Sequence, residues 1–282
     1  MKTGLVLEGG ANRTLFSCGV MDAFLEHDLM FDYIIGVSAG AAWGASYVSR
    51  QKLRNKMIVD NYMNDKRYMG SNNLFRKKNR SYYGLDFVYN QIPNKLIPFD
   101  YEAYRNNPCE FYAVVTNLDT GKPEYISVPR DDKNNKLLIA TCALPFLFPI
   151  VKIDGKPYMD GGISDSIPYE KALTDGCDRV IVILTRQADY RKSTEPISHL
   201  ISVFYRKYPA FCEAMKHRTE NYNNCLDRLA KAEKNGDILV IRPKNIADVS
   251  RTERDLKKLD RIYNEGYSYA NEHFQAIADF LK

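Results

Sequence analysis

Tyr33-Ile34-Ile35-Gly36-Val37-Ser38-Ala39-Gly40-Ala41 is the stretch on which the fold turns. Its first residues make a buried strand and Gly36 to Gly40 a tight turn. The alanine-rich run from Ala41 to Arg54 is predicted as the helix that follows. The same order stands once more upstream. Gly4-Leu5-Val6-Leu7 is a short apolar strand, Glu8-Gly9-Gly10 a glycine turn, and Thr14 to His27 carries apolar residues at helical spacing (Leu15, Gly19/Val20, Phe24). Strand, turn and helix repeated in this way predict an α/β fold with parallel strands.

Further along, Phe111 to Thr116 and Tyr125 to Val128 read as strands joined through Asp119-Thr120-Gly121. Lys136 to Ala143 is predicted as a helix stopped by Pro145. Ile150 to Ile153 and Lys156 to Met159 flank Asp154-Gly155, a hairpin signal. Val180 to Thr185 is the last long buried strand. Beyond Arg186 the pattern is helical, polar and rich in Tyr and Lys, with one short strand at Ile238 to Ile241. No repeat or low-complexity linker divides the chain, so one domain is expected over residues 1–282. Its core spans about 4–185 and its helical C-terminal part about 186–282.

Composition narrows the function classes. The chain has 282 residues, 45% hydrophobic and 27% charged, which is enough to bury a large core. Its longest charge-free apolar stretch, Leu137 to Val151, is 15 residues long and holds Pro145 and Pro149. A spanning helix needs roughly 20 apolar residues. Glu8 interrupts the N-terminal apolar run before it reaches the length of a secretory signal, so a cytoplasmic protein is expected. The six cysteines (18, 109, 142, 177, 212, 225) have no CxxC pairing. They read as free thiols, and no metal-ligand spacing is present. A net charge of +5 comes with no nucleic-acid reader motif. Residues 50–80, however, hold ten Lys/Arg against Asp60 and Asp65. These cations are interleaved with Tyr62, Met63, Tyr68, Met69, Leu74 and Phe75. The mixture suits peripheral contact with an anionic membrane, or a solvated insertion.

Gly36-Val37-Ser38-Ala39-Gly40 fits G-x-S-x-G, in which small neighbours let a serine sit on a strand-to-helix turn with its hydroxyl exposed. A nucleophilic serine needs a base. None of His27, His199, His217 and His273 sits in a glycine turn or just after a strand. Asp160-Gly161-Gly162 does both, which makes Asp160 the best-placed base. A carboxylate of ordinary pKa is a poor base toward serine, so its site should be partly desolvated. The turn Gly9-Gly10-Ala11-Asn12-Arg13 lacks the ending of a phosphate-binding P-loop. It suits either a simple tight turn or a backbone oxyanion hole.

Together these pieces resemble the bacterial patatin-like phospholipases. The turn at 9–13, the elbow at 36–40, Ala143-Leu144-Pro145-Phe146-Leu147-Phe148-Pro149 and Asp160-Gly161-Gly162 stand in that family's order, with Thr116 to Gly121 like its central strand and turn. The resemblance covers about residues 4–185. It implies a three-layer α/β/α fold with a mostly parallel sheet and a helical C-terminal extension. It also implies a serine lipid acyl hydrolase with Ser38 as nucleophile, Asp160 as base, an oxyanion loop on Gly9 to Arg13, and no cofactor. Gly10, Ala11 and Ala39 would hold the oxyanion by their N–H groups, and Arg13 would orient the loop or an anionic head group. Ala11 and Thr14 stand where the family has glycine. An alanine at negative φ would still offer its N–H, whereas a threonine at positive φ would be strained. Two rival readings are acyl transfer to an acceptor other than water and a lipid-binding scaffold with a degenerate pocket.

Overall fold

The computed structural model describes residues 1–75, 80–193 and 198–282. Strand β1 (Thr3–Leu7) leads through a 3-10 turn, Ala11–Thr14, into α1 (Leu15–Glu26). Strand β2 (Tyr33–Val37) leads into α2 (Ala39–Val48), followed by α3 (Arg54–Tyr62). A second 3-10 turn (Ser71–Phe75), a π-helical segment (Phe87–Leu96) and α4 (Tyr101–Asn106) precede β3 (Glu110–Asn117) and β4 (Pro123–Ser127). Next come α5 (Lys136–Thr141), the hairpin of β5 (Val151–Ile153) and β6 (Lys156–Asp160), α6 (Tyr169–Thr174) and β7 (Arg179–Ile183). The last elements are α7 (Ser198–Phe204), α8 (Pro209–Asn235), β8 (Ile238–Ile241), α9 (Leu256–Glu272) and α10 (Phe274–Phe280).

The strands form one sheet in the order β5-β6-β3-β2-β1-β7-β8, with β4 also on β3. Strands β3, β2, β1, β7 and β8 run parallel, and β4, β5 and β6 are antiparallel additions. Leu5 and Leu7 point into the layer that holds Phe16, Ala41 and Leu259, and Val6 into the layer that holds Ala172 and Leu229. All three are fully buried, which is why β1 reads as a continuous apolar run rather than an alternating one. The register sets Val115 of β3 opposite Asp160 of β6. This brings the end of β6 to the end of β2, where the parallel strands deliver their turns.

The helix expected from Ala41 to Arg54 is two helices. Between them Arg50 (φ 58°) and Leu53 (φ 64°) are left-handed, which ends helical hydrogen bonding. The Asp22 carboxylate accepts the Leu53 N–H (3.1 Å), and Arg50 pairs with Asp28. The basic stretch is likewise not a free cationic face. Lys52 pairs with Glu26 (2.9 Å), Lys56 with Asp60 and Asp260, and Arg67 with Asp65. Arg54 is buried, giving hydrogen bonds to Ser46 Oγ and the Ile97 carbonyl. Met63, Tyr68 and Met69 are buried too, so they cannot lie against a bilayer; Phe75 is exposed. Arg76, Lys77 and Lys78 lie outside the described residues.

The C-terminal part is built into this framework. Strand β8 extends the sheet beside β7, and α9 lies along α1 so closely that the helices touch backbone to backbone. A Cβ on Gly19 would fall 2.0 Å from the Tyr263 carbonyl oxygen, and one on Gly266 would fall 2.1 Å from that of Phe16. Tyr263 completes the contact by donating its hydroxyl to buried Asp22 (2.7 Å). Among the described residues no helix is long and apolar enough to cross a membrane.

Candidate active site

Ser38 sits between β2 and α2 at φ 53°, ψ −128°, a conformation that costs an L-residue on the order of 1–3 kcal/mol. The surroundings hold it there. Gly40 lets α2 start against β1, since a Cβ on it would lie 2.4 Å from the Leu7 carbonyl oxygen. The Ser38 N–H donates to the Thr141 hydroxyl (2.8 Å), which donates onward to the Val114 carbonyl (2.6 Å). Thr141 carries no signal in the sequence beyond membership of a helix, yet it fixes the elbow.

The Ser38 hydroxyl donates to Asp160 Oδ2 at 2.7 Å. Asp160 closes β6, and its second oxygen accepts the Gly162 N–H (2.8 Å), as an aspartate at the start of a 3-10 turn can. Its backbone is fixed by the Ala143 carbonyl and the Thr116 hydroxyl. The residue is 2% exposed. Burial pushes its pKa above the usual range, and the hydrogen bond from Ser38, the charge of Arg218, the Gly162 N–H and the charge of Arg251 only partly oppose this. Cys142 also lies near the hydroxyl, but burial pushes its thiol up to about 12, so no thiolate competes with Ser38 at neutral pH.

Beside the elbow runs the glycine turn. The N–H groups of Gly9, Gly10, Ala11 and Ala39 donate to no acceptor among the described residues, whereas that of Asn12 is taken by the Arg251 carbonyl (3.2 Å). The expectation for the two non-glycine positions is reversed. Thr14 is an ordinary right-handed residue (φ −63°), and the left-handed one is Ala11 (φ 50°). The reason lies in the turn. Gly10 is extended and Arg13 closes a hydrogen bond back to it, so the chain must reverse at Ala11. Loop and C-terminal part are clamped together: Asn12 Nδ2 donates to the Glu253 carbonyl (2.6 Å) and Arg13 Nε to that of Val249 (2.8 Å). Arg13 is therefore a buried structural tie, its pKa lowered to about 10 by burial and by the charges of Arg186 and Arg251.

Two chambers meet at Ser38. One is apolar, with about 1220 Å³ of empty space including its mouth, and is walled by Trp43, Ile58, Tyr83, Val88, Ile92 and Phe148. The region between α2 and β3 supplies one side of that wall, from Arg54 to Tyr104, to which the basic stretch of residues 50–80 gives Arg54, Ile58 and Tyr68. The other chamber, about 580 Å³, is polar and reaches Asp160, the glycine turn and residues of the C-terminal part. At its base the buried Glu8 accepts hydrogen bonds from the Thr185 N–H (2.6 Å) and hydroxyl (3.0 Å) and from the Tyr222 hydroxyl (2.6 Å). Three histidines stand elsewhere. His27 bonds Asn271, His217 faces Glu213 and Glu220, and His273 stacks on Tyr269. The side chain of His199 is outside the description. Among the described residues no group of His, Cys, Asp and Glu is arranged to hold a metal.

Residues 5–173 match the sequence model of the patatin-like phospholipases, and residues 208–282 match a domain of unknown function, DUF6363. The chain is 28% identical over 188 residues to the uncharacterized protein YjjU of Escherichia coli K12, covering 65% of this chain and 52% of that protein. It is 26% identical over 295 residues to lysophospholipase nte1 of Aspergillus terreus, covering 97% of this chain and 18% of the relative. The chain thus corresponds to about half the length of the first relative and under a fifth of the second. The crystal structure of VipD from Legionella pneumophila has a TM-score of 0.48 and 14% identity, with 98% of this chain and 67% of that one covered.

Proposed function

The chain belongs to the patatin-like phospholipase family, and on that premise we propose that it is a serine carboxylester hydrolase acting on lipid or fatty-acyl esters through a Ser38–Asp160 dyad. The observation that carries this reading is the 2.7 Å hydrogen bond from Ser38 Oγ to a desolvated Asp160, where an apolar and a polar chamber meet. In this mechanism Ser38 Oγ attacks the ester carbonyl while Asp160 accepts its proton, a transfer favoured by the raised pKa of the buried carboxylate. The N–H groups of Gly10, Ala11 and Ala39 take the oxyanion, being preorganised and uncommitted. Collapse releases the alcohol, protonated by Asp160, and leaves the acyl group on Ser38. Asp160 then deprotonates a water that attacks the acyl-enzyme. The proton returns to Ser38 and the acid departs.

The test is a fluorophosphonate probe together with a p-nitrophenyl acyl ester. Labelling and turnover that both vanish in Ser38→Ala are expected. Labelling with turnover only after an alcohol or thiol acceptor is added would make the protein a transferase. Absence of both would leave a lipid-binding scaffold. The same reading includes contact with a lipid surface, supported by exposed Phe75, Val203 and Phe204.

A further inference from the structure

The apolar chamber is not apolar throughout. Its wall follows α2, where Ala39, Ala42 and Ala45 line it, with Ser38 at the start of the helix. At the other end of α2 the Arg54 guanidinium donates to Ser46 Oγ (3.0 Å). With a rise of about 1.5 Å per residue, the run from Ser38 to Ser46 sets that guanidinium about 12 Å along the helix from the nucleophile. Tyr104 lines the same end, its ring 5.2 Å from that of Phe99, over which Arg54 lies at 5.1 Å. The Arg130 guanidinium lies 4.5 Å from the Tyr104 ring centroid. These groups are buried without the partners they ordinarily take. Arg54 is 8% exposed and Tyr104 is 4% exposed. The Arg54 Nε–H and the Tyr104 hydroxyl have no hydrogen-bond partner among the described residues. The other Arg54 nitrogens donate to Ser46 and the Ile97 carbonyl, and Arg130 donates to the carbonyls of Tyr104 and Cys109, all of them neutral. Among the described residues Asp132 is the one carboxylate lining the chamber, and its oxygens accept the N–H groups of Asn134 (2.9 Å) and Lys136 (2.8 Å). Burial lowers the Arg54 pKa to about 10, opposed by Tyr101 and by no carboxylate among the described residues.

A buried donor or charge left unmatched costs stability, and an acceptor that arrives with a ligand recovers that cost. We propose that Arg54, Tyr104 and Arg130 form a subsite for a carboxylate, so that the preferred acyl groups are chains of roughly ten carbons that end in a second carboxylate. That length follows from the distance to Ser38, spanned by an extended chain with C–C bonds of about 1.5 Å. Trp43, Ile58, Val88 and Ile92 cover the methylene groups on the way. Guanidinium groups suit the carboxylate because they give it charge-assisted hydrogen bonds in a matching planar geometry. A plain fatty-acyl chain of the same length would set a methyl group against these donors and leave them unmatched. The assignment rests on the hydrolase reading above and names the acyl group to be cleaved. The chemistry at Ser38 is unchanged: the ester bond breaks, the alcohol leaves, and water releases the free dicarboxylic acid from the acyl-enzyme.

The experiment compares three p-nitrophenyl esters of one acyl length: the half-ester of decanedioic acid, the decanoate and the ω-hydroxydecanoate. Wild type is expected to favour the first over each of the others by roughly tenfold or more in kcat/KM, mainly through KM. The hexanedioate half-ester, too short to reach Arg54, should show no such preference over the hexanoate. Tyr104→Phe keeps the ring stacking and removes only the unbonded hydroxyl, so it should unfold no earlier than wild type in urea. Its preference for the decanedioate half-ester should fall by roughly threefold to tenfold. Arg54→Met should lower that preference by roughly tenfold or more, and Arg54→Lys by less. Equal kcat/KM on decanedioate half-ester and decanoate, or a preference untouched in Tyr104→Phe and Arg54→Met, overturns the subsite. A preference for the ω-hydroxy ester over the half-ester overturns the carboxylate assignment. A second arm measures binding of monomethyl decanedioate and methyl decanoate to the Ser38→Ala protein by calorimetry. Tighter binding of the first that is lost when Tyr104→Phe is added, without turnover of any ester by wild type, would retain the subsite and remove the hydrolase reading.

Discussion

Replacing Thr141 by valine removes one hydroxyl and almost no volume, yet it touches the strained point of the site. That hydroxyl accepts the Ser38 N–H at 2.8 Å and donates to the Val114 carbonyl at 2.6 Å. Thr141 is fully buried, so water cannot replace it without opening the packing between α5 and β3. A buried polar group left unsatisfied costs about 1–3 kcal/mol. The variant should therefore lose about that much stability in urea unfolding. The lost bond also frees the elbow to relax from its positive φ, which would move Ser38 Oγ off Asp160. If the whole of that energy appears in the transition state, turnover of a soluble p-nitrophenyl ester falls by about 5- to 150-fold. Thr141→Ser, which keeps the hydroxyl, should recover most of the activity. Because Thr141 makes no hydrogen bond to Asp160, the pH at which activity is half lost should stay where it is in wild type. Wild-type turnover and stability in Thr141→Val would refute the idea that this hydroxyl holds the elbow.

Ser38→Ala and Asp160→Asn should each abolish nearly all esterase activity, at least about 10²-fold for the lost base, and the double variant should be no worse. His27→Gln, His217→Gln and His273→Gln should each stay within roughly tenfold of wild type, and one as inactive as Ser38→Ala would replace the dyad with a triad. Because the Asp160 pKa is raised and its ionised form is the proposed base, kcat/KM should fall as pH drops through that pKa. Arg218→Gln removes a charge that lowers this pKa, so the acid limb should move to higher pH; a shift to lower pH would refute the electrostatics. Ala11→Gly should raise the urea midpoint, since the left-handed alanine is strained by about 1 kcal/mol, while Thr14→Gly should lower it. The reverse order would place the strain at Thr14 after all.

The parallel core was legible in the chain because its signals are local. The apolar run Leu5-Val6-Leu7, buried on both faces, ends in a glycine turn, and the next strand ends in Gly36 to Gly40. Backbone sterics alone then require small residues around Ser38, and the carboxylate that ends β6 is marked by the two glycines that follow it. What stayed hidden was whatever depends on groups far apart in the chain. Ala11 is left-handed because the turn reverses between Gly10 and Arg13 while carbonyls of residues 249, 251 and 253 hold the loop from outside, and no residue type announces that. Arg54 reads as a solvated cation, but the fold buries it between Ser46 and Ile97. Arg218 and Arg251 look like ordinary polar residues of the C-terminal part, since periodicity tells which face of a helix is polar and not which cavity that face meets. Local geometry thus determined the turn that carries Ser38 and the glycine-marked position of Asp160, whereas the chamber walls and the charges around them were decided by long-range packing, which brings together residues up to 241 positions apart.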